Sequence, residues 1–311
     1  MNKSGIVTIG NSSFFPGILA LINSIRCNSP MPITIIDEGF TDDQRGILKN
    51  MDINLIKVQR SIPINSERFV CCYAFFDIDQ APYDTIVYLD ADTIVLQNIS
   101  ELAILALKSK VVCSYANPAK SLEKSIRFNS ISEIIKKIGR KAFLSDLKME
   151  FQTLSTFYKQ FTYPQLNTGV VAIRKETLIK IKNSLPKYSK YFSIFKYPDQ
   201  DLFSLLLAEY GIRPRIIPYL YNATRLHCHP FRTKIPRSWQ KGYYENIVLS
   251  IKEGKATIIK NKIKKGCKFK NEPIYVLHFN TAEKPWHAGV ILREGFKELW
   301  EFYYNLYPYS A

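Results

Sequence analysis

Apolar and polar positions follow two rhythms along this chain. Short, nearly continuous apolar runs predict strands covered on both faces: GIVTIG (5–10), PITII (32–36), INLIKV (53–58), TIVYL (85–89) and VVCSYA (111–116). Helical spacing fills the gaps. Pro16 opens a helix running to about Cys27, Thr41 caps a second with acids in its first turn, and a third runs from Glu67 to Ile78. Further on, NTGVVAIRK (167–175) reads as a strand, and PDQDLFSLLLAEYG (198–211) as a helix with Asp199 as N-cap and Gly211 as stop. IRPRIIP (212–218) and IYVLHF (274–279) are late strands, and GFKELWEFYYNLYP (295–308) is a closing aromatic helix. Strands alternating with helices predict an α/β fold with a mainly parallel central sheet flanked by helices.

Residues 118–162 break the rhythm: they are basic, poor in strand signal, and helical in spacing at ISEIIKKI and after Ser145, so they read as a helical insert. No repeat, low-complexity tract or Pro/Gly linker divides the chain. One domain over 1–311 is expected, closing in a basic and aromatic segment, 252–311.

Charge alters this picture. The chain carries 43 Lys and Arg against 27 Asp and Glu, a formal net charge of +16, which invites an anionic partner. Eight lysines and one acid, Glu253, lie between Lys252 and Lys270, either as a solvated lysine-rich loop or as a binding surface. The apolar run in MNKSGIVTIG is too short for a signal peptide, and no stretch of about 18 apolar residues follows it. The expected location is therefore cytoplasmic. The six cysteines fit reduced thiols there and do not form a disulfide framework. Lysines of the basic run and the aromatics Trp300, Phe302, Tyr303, Tyr304 and Tyr307 would suit peripheral contact with anionic lipid. The competing reading packs those aromatics onto the domain.

The candidate chemistry begins at IVYLDADTIVL (86–96). Asp90 and Asp92 flank Ala91 at the end of an apolar strand, and acids at i and i+2 of an extended chain project to one side. They repel unless a cation lies between them. In open α/β sheets ligands bind beyond the carboxyl ends of the strands, where His278 also falls, after Tyr275, Val276 and Leu277. Two carboxylates and an imidazole suit a divalent ion whose other ligands are phosphate oxygens, and the nitrogen favours Mn²⁺ over Mg²⁺. Lys284, before Pro285 and Trp286, could neutralise remaining diphosphate charge. Each element alone has a plain reading: a turn, a core histidine, a loop with a packed indole. A further cluster, His227-Cys228-His229, lacks a fourth ligand at zinc spacing, and neighbouring strand residues point to opposite faces.

Taken in order, YLDAD, Asn167-Thr168-Gly169, Asp199-Gln200 and HFNTAEKPW resemble the GT-A type glycosyltransferases of family 8, which include glycogenin and bacterial lipooligosaccharide galactosyltransferases. The resemblance runs from the first strand to about Trp286. It implies a GT-A nucleotide-binding domain that moves a hexose from a nucleotide sugar, UDP-linked, to a glycan or lipid-linked acceptor with retained configuration. By the same resemblance Asp90, Asp92 and His278 would hold the metal, and Lys284 would touch the diphosphate. Thr8, Gly10 and Asn11 would hold uracil and ribose with Phe14 near the base, and Ala91 would line the nucleotide site. Asn167 would contact the donor sugar, Asp199 its hydroxyls, and Gln200 would lie beneath the anomeric carbon. Gln200 is an amide and a poor nucleophile, so attack from the front face is expected, the leaving phosphate taking the acceptor's proton. Two departures stand out. Thr281 replaces the family's Gly, and the usual cation before the DxD strand is matched only by Arg68, at a longer spacing, with Tyr73 near the expected place.

Two other functions compete for the same residues. A sugar-nucleotide pyrophosphorylase also pairs acids near a nucleotide but needs a basic glycine-rich loop, and GNSSFFPG has no basic residue. A non-catalytic nucleic-acid-binding protein would use the +16 charge but leave the acid–histidine constellation unexplained. No nucleic-acid partner is expected.

Overall fold

The structure is a computed structural model describing residues 3–51, 53–60, 74–115, 166–188, 198–224, 246–252, 255–261, 263–264, 267–268, 272–280, 284–290 and 296–306. In chain order the first elements are β1 (Ser4–Gly10), α1 (Phe15–Asn28), β2 (Ile33–Asp37), α2 (Asp42–Asn50), β3 (Asn54–Ile56), β4 (Thr85–Leu89) and β5 (Thr93–Val95). Then come α3 (Ser100–Ser109), β6 (Val111–Tyr115), β7 (Leu166–Arg174), α4 (Lys175–Lys182), α5 (Pro198–Glu209), β8 (Arg215–Ile216) and β9 (Ala223–Thr224). A seven-stranded sheet runs in the order β3-β2-β1-β4-β7-β6-β8. Only β7 opposes its neighbours; the β3-β2-β1-β4 and β6-β8 pairings are parallel, as the strand–helix alternation predicts.

Alternation within each strand explains why both of its faces are apolar. Val7, Ile86, Tyr88, Val171 and Ile173 pack with Phe75, Phe76, Leu178, Leu202 and Phe203 on one side. Ile6, Val87, Leu89, Val170 and Ala172 pack with α1 and α3 on the other. Successive side chains point to opposite faces, so a central strand between two helical layers has no polar side to offer.

The helix signals of the sequence act locally as their chemistry requires. Pro16 lies in the first turn of α1. The Thr41 hydroxyl accepts from Gln44 N–H while the Gln44 side-chain Oε1 accepts from Thr41 N–H, a capping box. At the end of α5, Gly211 takes φ +62°. Its N–H donates to Ala208 O and Ile212 N–H to Leu207 O, which closes the helix as a Schellman motif.

Other expectations change. The helix expected over 67–78 is described only from residue 74, where a 3-10 helix runs Phe75–Gln80 before Pro82 blocks continuation. INLIKV shortens to Asn54–Ile56. IRPRIIP pairs only at Arg215–Ile216, because Pro214 and Pro218 bring no N–H to a ladder. Asp199 lies inside the first turn of α5, which begins at Pro198, rather than capping it. The insert over 118–162 lies outside the described residues, as do Arg68, Tyr73, Thr281 and the cluster at 227–229.

Toward the C-terminus come the hairpin β10 (Asn246–Lys252) and β11 (Lys255–Asn261), then β12 (Ile263–Lys264), β13 (Cys267–Lys268), β14 (Glu272–Pro273) and β15 (Val276–His278). β15 pairs antiparallel with β5 and parallel with β9 in a small sheet beside the main one. The last helix, α6 (Phe296–Tyr304), buries Phe296, Leu299, Trp300 and Tyr303 against α1 and this small sheet. Asn23 of α1 donates to Tyr303 O at 2.8 Å. These four side chains therefore serve packing, while Phe302 and Tyr304 stay partly exposed.

Two glycines should respond to alanine in opposite directions. Gly46 is an exposed interior residue of α2 with open space at its Cβ position, so Gly46→Ala should raise unfolding free energy by about 0.5–1 kcal/mol. Gly211→Ala, forced to a left-handed φ, should lower it by about 1–2 kcal/mol. Urea denaturation of the two variants checks both signs.

Candidate active site

β4 is buried along its length and leaves the sheet at Asp90. The chain then reverses: Thr93 N–H and Thr93 Oγ1 donate to Asp90 O at 3.1 and 2.7 Å. Asp90 and Asp92 thus share a tight turn rather than an extended strand, and the chain returns as β5. Asp90 N–H also donates to Gly169 O at 3.0 Å, which ties the turn to the start of β7. Phe279 N–H donates to Asp92 O at 2.8 Å, which brings the end of β15 alongside.

His278 Nε2 lies 3.4 Å from Asp90 Oδ2 and 3.2 Å from Asp92 Oδ1. One ligand atom from each of the three residues lies within 4.8 Å of the others, the grouping the acid–histidine pattern predicts. Lys284 Nζ pairs with Asp92 Oδ2 and donates to Phe279 O at 3.0 Å. The Asp92 and His278 side chains are buried, while that of Asp90 is 32% exposed, leaving an open approach on its side. Two oxygens and one nitrogen suit a borderline divalent cation.

The charges adjust to one another. Burial alone would raise the Asp92 carboxyl, but positive His278 and Lys284 outweigh it and hold Asp92 down to about 2. Burial would likewise disfavour the imidazolium, yet Asp92 and Asp90 push His278 up to about 9. Asp199, at the start of α5, is raised to about 6, first by burial and then by the charge of Asp90, against the Thr168 hydroxyl and backbone N–H groups. Its Oδ2 accepts from Thr168 Oγ1.

The remaining predicted residues divide. Gly10 ends β1 opposite Asp37 of β2, and a Cβ there would meet Phe40 and Ile18 at 2.8 and 2.9 Å. Asn11 caps the next turn, its Oδ1 accepting from Ser13 and Phe14 N–H groups, and Thr8 is buried inside β1 with an unpartnered hydroxyl. Phe14 stands edge-on to Trp286 at 5.8 Å, with Lys284 Nζ 5.8 Å above its ring. Ala91 is buried within the turn. Asn167 is buried at the start of β7, and Gln200 follows Asp199 on α5, half-buried.

Sequence reasoning missed three contributors. Tyr88 OH donates to Asp90 Oδ1 at 2.8 Å, placing a strand residue under the acid turn. Gly169 gives His278 its space: a Cβ there would lie 2.2 Å from His278 Cε1. Asn222, which the sequence marks only as the start of the N-x-T run Asn222-Ala223-Thr224, touches His278 Nδ1 at 2.8 Å; an amide after an apolar run is the one local signal it carries.

Solved structures share this fold. The chain superposes on WbbM, a bifunctional glycosyltransferase, with TM-score 0.61 and 14% identity, covering 99% of this chain and 50% of that one. GlyE of Streptococcus pneumoniae TIGR4 in its apo form gives 0.60 and 15%, with coverage of 99% and 61%. The galactosyltransferase LgtC, solved with donor and acceptor sugar analogs, gives 0.56 and 14%, with coverage of 96% and 95%. The chain thus spans half the length of WbbM but nearly all of LgtC. No curated protein sequence matches it. The shared fold, a mainly parallel sheet flanked by helices, is that of the GT-A glycosyltransferases. The sequence profile of glycosyl transferase family 8 matches residues 5–289, and the chain belongs to that family.

The shifted pair predicts a pH dependence. His278 sits above its ordinary 6.5, so its contribution to stability is complete below about 6.5 and lost as pH rises through about 9. Asp92 sits below 3.8, so its contribution is present above that value and lost as pH falls through about 2. With EDTA present, the melting temperature should fall between pH 6.5 and 9, and His278→Gln should flatten that slope. An unchanged slope in the variant would show that the charge of His278 does not stabilise the fold.

Proposed function

We propose that the chain is a divalent-metal-dependent hexosyltransferase that takes its sugar from a UDP-linked donor and delivers it to a glycan or lipid-linked acceptor with retained configuration. The observation that carries this reading is the convergence of Asp90, Asp92 and His278 at the carboxyl edge of the sheet. When bound, Mn²⁺ or Mg²⁺ supplies Lewis-acid stabilisation of the departing diphosphate.

The chain's own residues do the rest. Asp90, Asp92 and His278 hold the ion, and Lys284, already paired with Asp92, turns its ammonium toward the leaving phosphates. The β1 end and the following turn, with Thr8, Gly10, Asn11 and Phe14, take the nucleoside, with Ala91 at its edge. Asn167 and Asp199 bind sugar hydroxyls, the Asp199 carboxyl being raised to about 6 by burial and by the charge of Asp90. Gln200 orients the anomeric centre. Gln200, the group assigned beneath the anomeric centre, is an amide and a poor nucleophile, which favours front-face attack with the acceptor's proton passing to the leaving phosphate. The LgtC complex with donor and acceptor sugar analogs lends support, because the same fold there accommodates both kinds of ligand.

The direct test is a panel of nucleotide sugars with Mn²⁺, scored for hydrolysis without acceptor. Asp92→Ala should abolish turnover and weaken UDP binding only when metal is present. EDTA should reproduce that loss, and Mn²⁺ should restore activity better than Ca²⁺, whose longer oxygen bonds suit a looser cage. Gln200→Ala should lose part of the activity and leave UDP affinity nearly unchanged. Full turnover in EDTA would contradict the reading.

A further inference from the structure

Behind the metal-binding face runs a buried chain of amides in which one backbone N–H fixes every other donor and acceptor. Gly169 N–H can only donate, and it donates to Asn167 Oδ1 at 2.8 Å. That commits the Asn167 carbonyl to this network and leaves its NH₂ free of it. The same oxygen lies 2.7 Å from the Asn222 amide, so Asn222 must present Nδ2 there, since two carbonyl oxygens at that distance would repel. The second N–H of Asn222 reaches Ser114 Oγ at 3.0 Å. Only Asn222 Oδ1 remains, and it lies 2.8 Å from His278 Nδ1. An acceptor there requires the hydrogen on Nδ1. When the ring gives up one proton to a bound ion, it is therefore Nε2, the atom facing Asp90 and Asp92, that loses it and offers its lone pair.

All four side chains are buried, with Ser114 and His278 at 2%, Asn222 at 4% and Asn167 at 5% exposure. Water cannot replace a lost partner there at low cost. From this network we infer that Asn222 is a positioning residue with two outputs: it orients and tautomerises His278 for the ion, and it fixes the Asn167 amide so that its NH₂ meets the donor sugar. One amide thereby couples metal loading to sugar placement. Ser114 and Gly169 anchor the coupling from β6 and β7, and Asn222 itself is delivered by the turn leading into β9, beside β15. The inference rests on the metal-dependent reading above.

The two outputs separate in two variants. Asn222→Ala removes both and should weaken Mn²⁺ binding, measured by EPR without nucleotide, by about 10–100-fold. It should also remove the ¹⁴N modulation that a coordinated imidazole imposes on bound Mn²⁺. Asn222→Asp keeps an acceptor for Nδ1–H but no donor for Asn167 or Ser114. It should hold Mn²⁺ affinity within about threefold and keep the ¹⁴N modulation, yet lose at least about tenfold in acceptor-free hydrolysis of UDP-glucose or UDP-galactose, whichever the parent hydrolyses. Parent affinity and ¹⁴N modulation in Asn222→Ala would overturn the role toward His278. If Asn222→Ala does not fold, Asn222→Asp decides alone: parent-like hydrolysis there would overturn the link to Asn167. A parent protein that binds no Mn²⁺ would instead remove the metal-dependent reading itself, and the inference with it.

Discussion

Two carboxylates held within a turn at the edge of a sheet are the constraint around which this protein is arranged. Asp90 and Asp92 cannot both stay ionised in a partly buried place unless positive charge comes to them. The fold answers from distant parts of the chain. His278 arrives on β15 and Lys284 shortly after it, and both touch Asp92. The pull of each acid on the imidazole, and of both cations on Asp92, overrides what burial alone would do to either group.

Backbone geometry decides which residues can take part. β7 opposes its neighbours in the main sheet, so its beginning, rather than its end, meets the acid turn. That reversal puts Asn167, Thr168 and Gly169 in the site, and the missing side chain of Gly169 makes room for the His278 ring. The small sheet β5-β15-β9 then sets the histidine beside both the acids and Asn222. A site with residues from β4, β7, β9 and β15 needs its strands in register, which is why apolar strand packing and site chemistry are one problem here.

Much of this was legible in the residues because the relevant signals are local. Apolar runs marked buried strands, Thr41 with acids in the turn after it marked a helix start, and Gly211 marked a stop. The acid pair and His278 were legible as chemistry, since both follow apolar runs at strand ends. What escaped depended on tertiary placement. The acids' reversal came from Thr93 bonding back to Asp90, which an i, i+2 pattern does not distinguish from a strand. β9 is two residues long and carries no periodicity. Asn222 carries no local signal of its role because its partners, Ser114, Asn167 and His278, lie 108, 55 and 56 residues away. The aromatic helix had two readings, and burial of Trp300 and Tyr303 gives those side chains to packing.

The central claim is that Asp90, Asp92 and His278 hold one divalent ion together with the diphosphate of the donor. Anomalous diffraction at the manganese edge, on crystals grown with UDP and MnCl₂, addresses it most directly. The account predicts a single strong peak at bonding distance from a carboxylate oxygen of each aspartate, from His278 Nε2 and from the diphosphate. A well-ordered UDP with no anomalous peak among those three side chains would contradict it.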